Sequence, residues 1–215
     1  RLHQYLKPSA YQAIGFSHAN YVADGYLVFC PDIVYDLGSP GKSAVTCVET
    51  GVRAVIDRGI VDSGHIGLIG HSYGGYETSY IVTQSKLFAC AVAGAGVTDM
   101  VSASLSMSEG AARSQMWRYE TYQPRIGKSL YESYEKYIST PLLSWSGKED
   151  KSVNYSQSME LHLAMRRLQK RHVLLLYNGE GHLLEQPHNQ LDLNGRIRDW
   201  FAYYLKEKPF TYDEF

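Results

Sequence analysis

The sequence predicts an α/β fold: one mostly parallel sheet with helices on both faces. Short apolar runs recur that are near-continuous instead of alternating, the pattern of strands buried on both sides. Longer segments with apolar residues at helical spacing lie between them. The third observation is Gly67-Leu68-Ile69-Gly70-His71-Ser72-Tyr73-Gly74-Gly75-Tyr76, where an apolar strand enters a Gly-x-Ser-x-Gly turn and a helix can follow at once. A serine on such a turn is held out at the edge of a parallel sheet.

Taken in order, the first 25 residues contain no convincing set of strands. Tyr26 to Cys30 is β-prone and stops at Pro31-Asp32. Residues 31 to 42, with Pro31, Gly38, Pro40 and Gly41, read as a rigid loop near the sheet's rim. From Ser43 to Arg58, Val45, Val48, Val52, Val55 and Ile56 form a helical stripe. His65 to Ile69 is a buried strand and Glu77 to Thr83 a helix. Ala89 to Ala93 is the next strand, ending in Gly94-Ala95-Gly96.

Residues 97 to 140 are a long insertion for an α/β connection. They hold Met100, Met107, Met116, Trp117, Tyr119, Tyr122, Tyr131, Tyr134 and Tyr137 and are expected to form helices over the active edge. Such a stripe serves a core as readily as a pocket. Pro141 to Gly147 and Val173 to Tyr177 complete five predicted strands. Leu161, Ala164, Met165 and Leu168 mark a helix between them, and Leu193, Ile197, Trp200, Phe201 and Tyr204 a closing helix that covers the sheet.

Composition bounds the rest. A chain of 215 residues with 44% hydrophobic content can bury the core of one domain. A net charge of -1 argues against a nucleic-acid surface, and Arg166, Arg167, Lys170 and Arg171 read as the solvent face of a helix. No stretch reaches membrane-span length and no secretory signal opens the chain, although a mature form would lack one. The compartment stays open between cytoplasmic and exported. Cys30, Cys47 and Cys90 lie in apolar patterns and are expected as buried free thiols. Asn154-Tyr155-Ser156 matches a glycosylation acceptor, a pattern too short to carry weight alone. No metal-ligand spacing or dinucleotide fingerprint occurs, so neither metal nor cofactor is expected.

The serine turn points to nucleophilic catalysis. Gly70 and Gly74 flank a turn tight enough to strain Ser72, where larger side chains would crowd the turn or an approaching substrate. The Tyr73 N–H, at the start of the next helix, can face an oxyanion. The serine needs a base and the base an orienting carboxylate, in the chain order Ser, acid, His. The fourth strand delivers Asp150 and the fifth delivers His182. Asp150 is assigned as the acid against Glu149 and Glu180, because strand alternation turns Glu149 away. His182 is assigned as the base against His71, which is expected to pack beside the sheet.

These residues give the chain its resemblance. It looks like the C-terminal catalytic domain of the prolyl oligopeptidase family of serine peptidases, on the dipeptidyl-peptidase and acylaminoacyl-peptidase side. The likeness runs from Gly25-Tyr26 and Pro31-Asp32 through Gly70-His71-Ser72-Tyr73-Gly74-Gly75-Tyr76. It continues in Thr140-Pro141-Leu142-Leu143, Gly147-x-x-Asp150-x-x-Val153 and Tyr177-x-x-Glu180-x-His182, with 78 and 32 residues separating Ser72, Asp150 and His182.

The resemblance implies an α/β-hydrolase fold spanning 1–215 that lacks its first strands, a C-terminal piece of a larger protein. It also implies hydrolysis of short peptides and an N-terminal β-propeller as partner domain. A homo-oligomer is compatible with it. The family's second oxyanion donor, a tyrosine, would precede residue 1, and the approach through Ile138-Ser139-Thr140 is shorter than usual. Trp117, Tyr119 and Tyr122, with Tyr76, are the expected pocket residues, with proline preference open. A carboxylesterase is the alternative by chemistry, and a non-catalytic scaffold the alternative by function.

Overall fold

The structure, a computed structural model, describes residues 9, 11–104, 106–108, 113–115 and 140–209. In chain order its elements begin with α1 (His18–Ala23), α2 (Pro40–Ile56), β1 (Gly67–His71), α3 (Tyr73–Gln84) and β2 (Cys90–Gly94). Next come α4 (Met100–Ser104) and the short pair β3 (Met107–Ser108) and β4 (Arg113–Ser114). Then follow β5 (Leu142–Gly147), α5 (Ser156–Arg167), β6 (His172–Tyr177) and a closing helix α6 (Pro187–Lys206).

The sheet runs β1-β2-β5-β6, every pair parallel. Parallel order sets Gly67 opposite Cys90, Ala91 opposite Leu142 and Leu142 opposite His172, so all four strands finish at one edge. The two central strands, β2 and β5, are buried at every residue, which accounts for the unbroken apolar run of β2; in β5 the buried Ser144 hydroxyl is paired with His172 Nε2 at 2.9 Å.

Side chains alternate along β2. Cys90 and Val92 face a cluster with Leu143, Trp145 and the α6 residues Leu193, Ile197, Trp200 and Phe201. Ala91 and Ala93 face the other way, with Val82 of α3 and Met165 of α5. Small side chains suit that face because α3 lies close: a Cβ on Gly75 would stand 2.5 Å from the Gly94 carbonyl. Behind α3, Ala44, Val48 and Val52 of α2 pack on Ile81 and Phe88. Trp200 and Ile197 are fully enclosed, and burying a side chain of this size contributes roughly 1.5–3 kcal/mol.

Several boundaries differ from the expectations. The segment 26–30 joins no ladder among the described residues, and Leu27 and Phe29 are 68% and 49% exposed. β-propensity favours an extended backbone, but a strand needs matching N–H and C=O groups beside it. β1 starts two residues later than expected. Asp62 draws 63–65 into a turn, accepting from Gly64 N at 2.9 Å and pairing with His65 Nδ1 at 2.8 Å.

The helix expected from Ser43 opens at Pro40, whose missing N–H and fixed φ suit a first helical position. On α5, Met165 is buried but Leu168 lies past the helix end and is 41% exposed. Of the cysteines, Cys90 is buried, Cys47 half-buried and Cys30 exposed, and all three are free. Of residues 97–140, expected as helices over the active edge, the described ones include α4 and the β3–β4 pair. Among the described residues no helix is long and apolar enough to cross a membrane, and no group of three or more His, Cys, Asp and Glu could hold a metal ion.

Candidate active site

Three loops leave the C-terminal edge of the sheet, after β1, β5 and β6, and each brings one candidate residue. Ser72 joins β1 to α3 at φ 59° and ψ -116°. A positive φ at a residue with a side chain costs on the order of 1–3 kcal/mol and persists only where the surroundings over-determine it. Here they do: Ser72 N donates to Gly94 O at 2.8 Å, and Tyr76 N donates to Ser72 O at 3.1 Å.

Gly70 is required by the turn itself. A Cβ there would run into the Gly74 carbonyl and lie 2.7 Å from Thr78 Oγ1. Gly74 differs from the expectation, since a Cβ there would meet nothing within 4 Å. Its small size leaves open space at the turn and relieves no internal crowding.

Asp150 follows the end of β5, with its side chain fully enclosed. Its Oδ1 accepts from Ser152 N at 2.7 Å and Val153 N at 2.9 Å, which aims Oδ2 at His182 Nδ1, 2.8 Å away. His182 Nε2 lies 2.9 Å from Ser72 Oγ. A carboxylate only accepts, so Nδ1 carries the proton; in the neutral ring Nε2 is then bare and accepts from the serine hydroxyl. The array can take a proton from Ser72 Oγ as that oxygen attacks a carbonyl.

The competing carboxylates face elsewhere. Glu149 Oε2 accepts from Glu180 N at 3.0 Å, stitching the β5 and β6 loops together. Glu180, 1% exposed, accepts from Glu185 N at 2.7 Å, Gln186 N at 3.1 Å and Asn189 Nδ2 at 2.6 Å. It thus anchors the segment entering α6, the helix end where negative charge is favoured.

His71 is turned to the sheet side. Its ring stacks on Trp145 at 5.4 Å and 23°, and its Nε2 lies 3.0 Å from the carbonyl oxygen of His182. Burial, reinforced by neighbouring His182, lowers its pKa, which favours the neutral ring.

Tyr73 opens α3, placing its N–H at the helix end that favours developing negative charge. Its ring meets Tyr35 at 5.8 Å and Tyr76 at 5.4 Å. The Tyr35 hydroxyl donates to Glu77, whose carboxyl is pushed up by burial. Tyr76 lies against Met100 and Ala103 and takes a hydrogen bond from the Gly41 backbone. The other expected pocket residues, Trp117, Tyr119 and Tyr122, lie outside the described residues.

Sequence reasoning did not find the contact from His71 to the His182 carbonyl or the anchoring by Glu180. The first joins the end of β1 to a residue 111 positions later, and the second lies within the one connection from β6 into α6; no spacing rule reports either. The sole signal for Glu180 was its place two residues before His182.

Comparison with known proteins gives the same geometry a lineage. The chain is 28% identical over 158 residues to the lasso peptide isopeptidase AtxE2 of Asticcacaulis excentricus, covering 70% of this chain and 22% of that protein. To acylamino-acid-releasing enzyme 1 of Oryza sativa subsp. japonica it is 21% identical over 188 residues, covering 79% and 24% respectively. The chain therefore spans about a quarter of the length of the curated relatives it matches.

The solved acylaminoacyl peptidase of Pyrococcus horikoshii superposes with a TM-score of 0.66 at 20% identity, over 83% of this chain and 30% of that one. That likeness shows the α/β-hydrolase fold, of which the four parallel strands and their helices are a part. The model of the prolyl oligopeptidase family matches residues 39–208, a span that takes in the serine turn, both later loops and the closing helix. On that match the chain belongs to the prolyl oligopeptidase family.

Proposed function

We propose that the protein is a serine peptidase that hydrolyses short peptides through an acyl-enzyme, with Ser72 as nucleophile, His182 as base and Asp150 as orienting acid. The observation that carries this is the unbroken hydrogen-bonded series from Asp150 Oδ2 through His182 to Ser72 Oγ, at 2.8 and 2.9 Å, on a strained strand-to-helix turn.

In the first half-reaction His182 Nε2 takes the Ser72 proton while Oγ bonds to the substrate carbonyl carbon. The Tyr73 N–H donates to the oxygen that gains the charge. Collapse breaks the C–N bond, and His182 returns the proton to the departing amine. Water then enters, gives a proton to Nε2 and attacks the ester carbon; Oγ leaves and is reprotonated, and the acid product is released. Asp150 keeps Nδ1 protonated throughout and stabilises the imidazolium.

Relatives named as acylamino-acid-releasing enzymes and as an isopeptidase support an amide over an ester as the bond cleaved. Tyr76, at the join of α3 with the start of the 97–140 insertion, is read as support for the substrate pocket that Trp117, Tyr119 and Tyr122 would line. A β-propeller domain of the intact protein would limit substrates to short peptides, as the resemblance implies. The test is turnover of short peptidyl amides and matched esters by the intact protein, with products identified by mass. Amide cleavage abolished by Ser72→Ala supports the reading; ester cleavage with no amide cleavage refutes it in favour of an esterase.

A further inference from the structure

We propose that His71 is a positioning residue: its Nε2–H clasps the main-chain carbonyl of His182 and fixes the nucleophile and the base in one closed loop of contacts. The inference rests on the catalytic roles proposed above.

The closure is visible in the connectivity. His71 is peptide-bonded to Ser72, so the serine backbone reaches the His182 backbone through a single side chain, with Nε2 3.0 Å from the carbonyl oxygen. A carbonyl only accepts, so Nε2 bears the hydrogen. The second connection is the Ser72 Oγ to His182 Nε2 contact at 2.9 Å. That contact cannot hold the base throughout the reaction, because the serine oxygen gives up its hydrogen and becomes an ester. The clasp through His71 involves no reacting atom and persists while His182 carries the proton to the leaving amine.

The His71 ring is itself held. It stacks on Trp145, which is 1% exposed in the middle of the sheet, and lies 4.9 Å from the His182 ring at 52°. Elsewhere the His182 loop is tied at residues before and after the histidine. Glu149 Oε2 holds Glu180 N at 3.0 Å, Leu184 N donates to Ala13 O at 2.9 Å, and Glu180 holds Glu185 and Gln186. His71 acts at the histidine itself.

The test uses the intact protein, with kcat and KM on a cleaved peptidyl amide, fluorophosphonate labelling and the thermal midpoint for His71→Phe and His71→Gln. Phenylalanine keeps the stack on Trp145 and loses the donor; glutamine places an amide N–H close to where Nε2 stood. In a folded His71→Phe protein kcat should fall about ten- to a hundredfold with KM within about twofold, as for a base displaced by part of an ångström. His71→Gln should regain most of that loss.

Should the phenylalanine variant fail to fold, His71→Met, which also lacks a donor, takes its place. A folded donor-less variant with wild-type kcat, or a glutamine variant as impaired as the phenylalanine one, would overturn the clasp. Wild-type protein that neither cleaves peptides nor labels at Ser72 would instead overturn the peptidase reading on which it stands.

Discussion

Replacing Asp150 by asparagine should sharply lower kcat while leaving the fold in place. In the enclosed site, Oδ1 accepts from Ser152 N and Val153 N at 2.7 and 2.9 Å. An asparagine must keep its single oxygen there, because reversing the amide would set an NH₂ against two N–H donors. Each buried donor left unsatisfied costs about 1–3 kcal/mol, so the reversed amide is worse by about 2–6 kcal/mol.

The asparagine Nδ2 therefore faces His182 Nδ1 across the 2.8 Å contact and donates to it. The imidazole must move its proton to Nε2, 2.9 Å from Ser72 Oγ, and that nitrogen can no longer accept the serine proton. The same change in a comparable serine-histidine-aspartate array lowers kcat by about 10⁴-fold, and a loss of about 10³- to 10⁴-fold is expected here. The assay is kcat on a peptidyl amide beside the thermal midpoint, with Asp150→Ala as comparison. Asparagine should nearly preserve the midpoint, whereas alanine, leaving both N–H groups without Asp150, should lower it. A folded Asp150→Asn protein retaining more than about a tenth of wild-type kcat would refute the tautomer argument.

Three further outcomes follow from the packing. Gly70→Ala should destabilise by roughly 2 kcal/mol or more, because its Cβ meets the Gly74 backbone, while Gly74→Ala should leave the urea midpoint nearly unchanged. Equal midpoints for the two variants would sink the distinction. Glu180→Gln should lose about 1–3 kcal/mol, since its amide offers one oxygen where the carboxylate serves three donors; urea titration without a loss would show that α6 does not depend on this anchor.

His172, hydrogen-bonded to Ser144 Oγ at 2.9 Å and His162 at 3.0 Å, is held down to a pKa of about 3 by burial and then by His162. Because the folded state disfavours its charged form, its stabilising contribution is complete above about pH 6.5 and is lost as pH falls toward about 3. Unfolding free energy should drop by up to about 1.4 kcal/mol per pH unit in that window, and His172→Phe should flatten that part of the curve. An identical slope in the variant would remove His172 as the cause.

Much of this architecture was legible because it rests on local signals. Strands β2 and β5 are buried at every residue, so their composition announced both their existence and their parallel pairing. The chain order of Ser72, Asp150 and His182 placed them after parallel strands, and such strands finish at one edge. The stripe of Leu193, Ile197, Trp200 and Phe201 marked α6 because each of those residues is in the core.

What escaped depends on how separate segments meet or how a connection folds back on itself. The run Tyr26 to Cys30 has strand composition, but its pairing is a property of a neighbour and not of its own residues. The carboxylates Glu149 and Glu180 could be ranked against Asp150 only by alternation. The engagement of Glu149 with Glu180 N requires two loops to be seen side by side, and that of Glu180 with the α6 entrance requires the path of the connection between β6 and α6. His71 was expected to pack beside the sheet, and it does stack on Trp145, but its contact with the His182 carbonyl spans 111 residues.

The central claim is that Ser72 is a nucleophile activated by His182, and fluorophosphonate labelling of the intact protein with mapping of the modified peptide tests it most directly. A single adduct on Ser72 is expected, absent in Ser72→Ala and strongly slowed in His182→Ala, with both variants retaining the wild-type thermal midpoint within a few degrees. A folded wild-type protein that takes up no probe, or that carries the adduct on another residue, would contradict it.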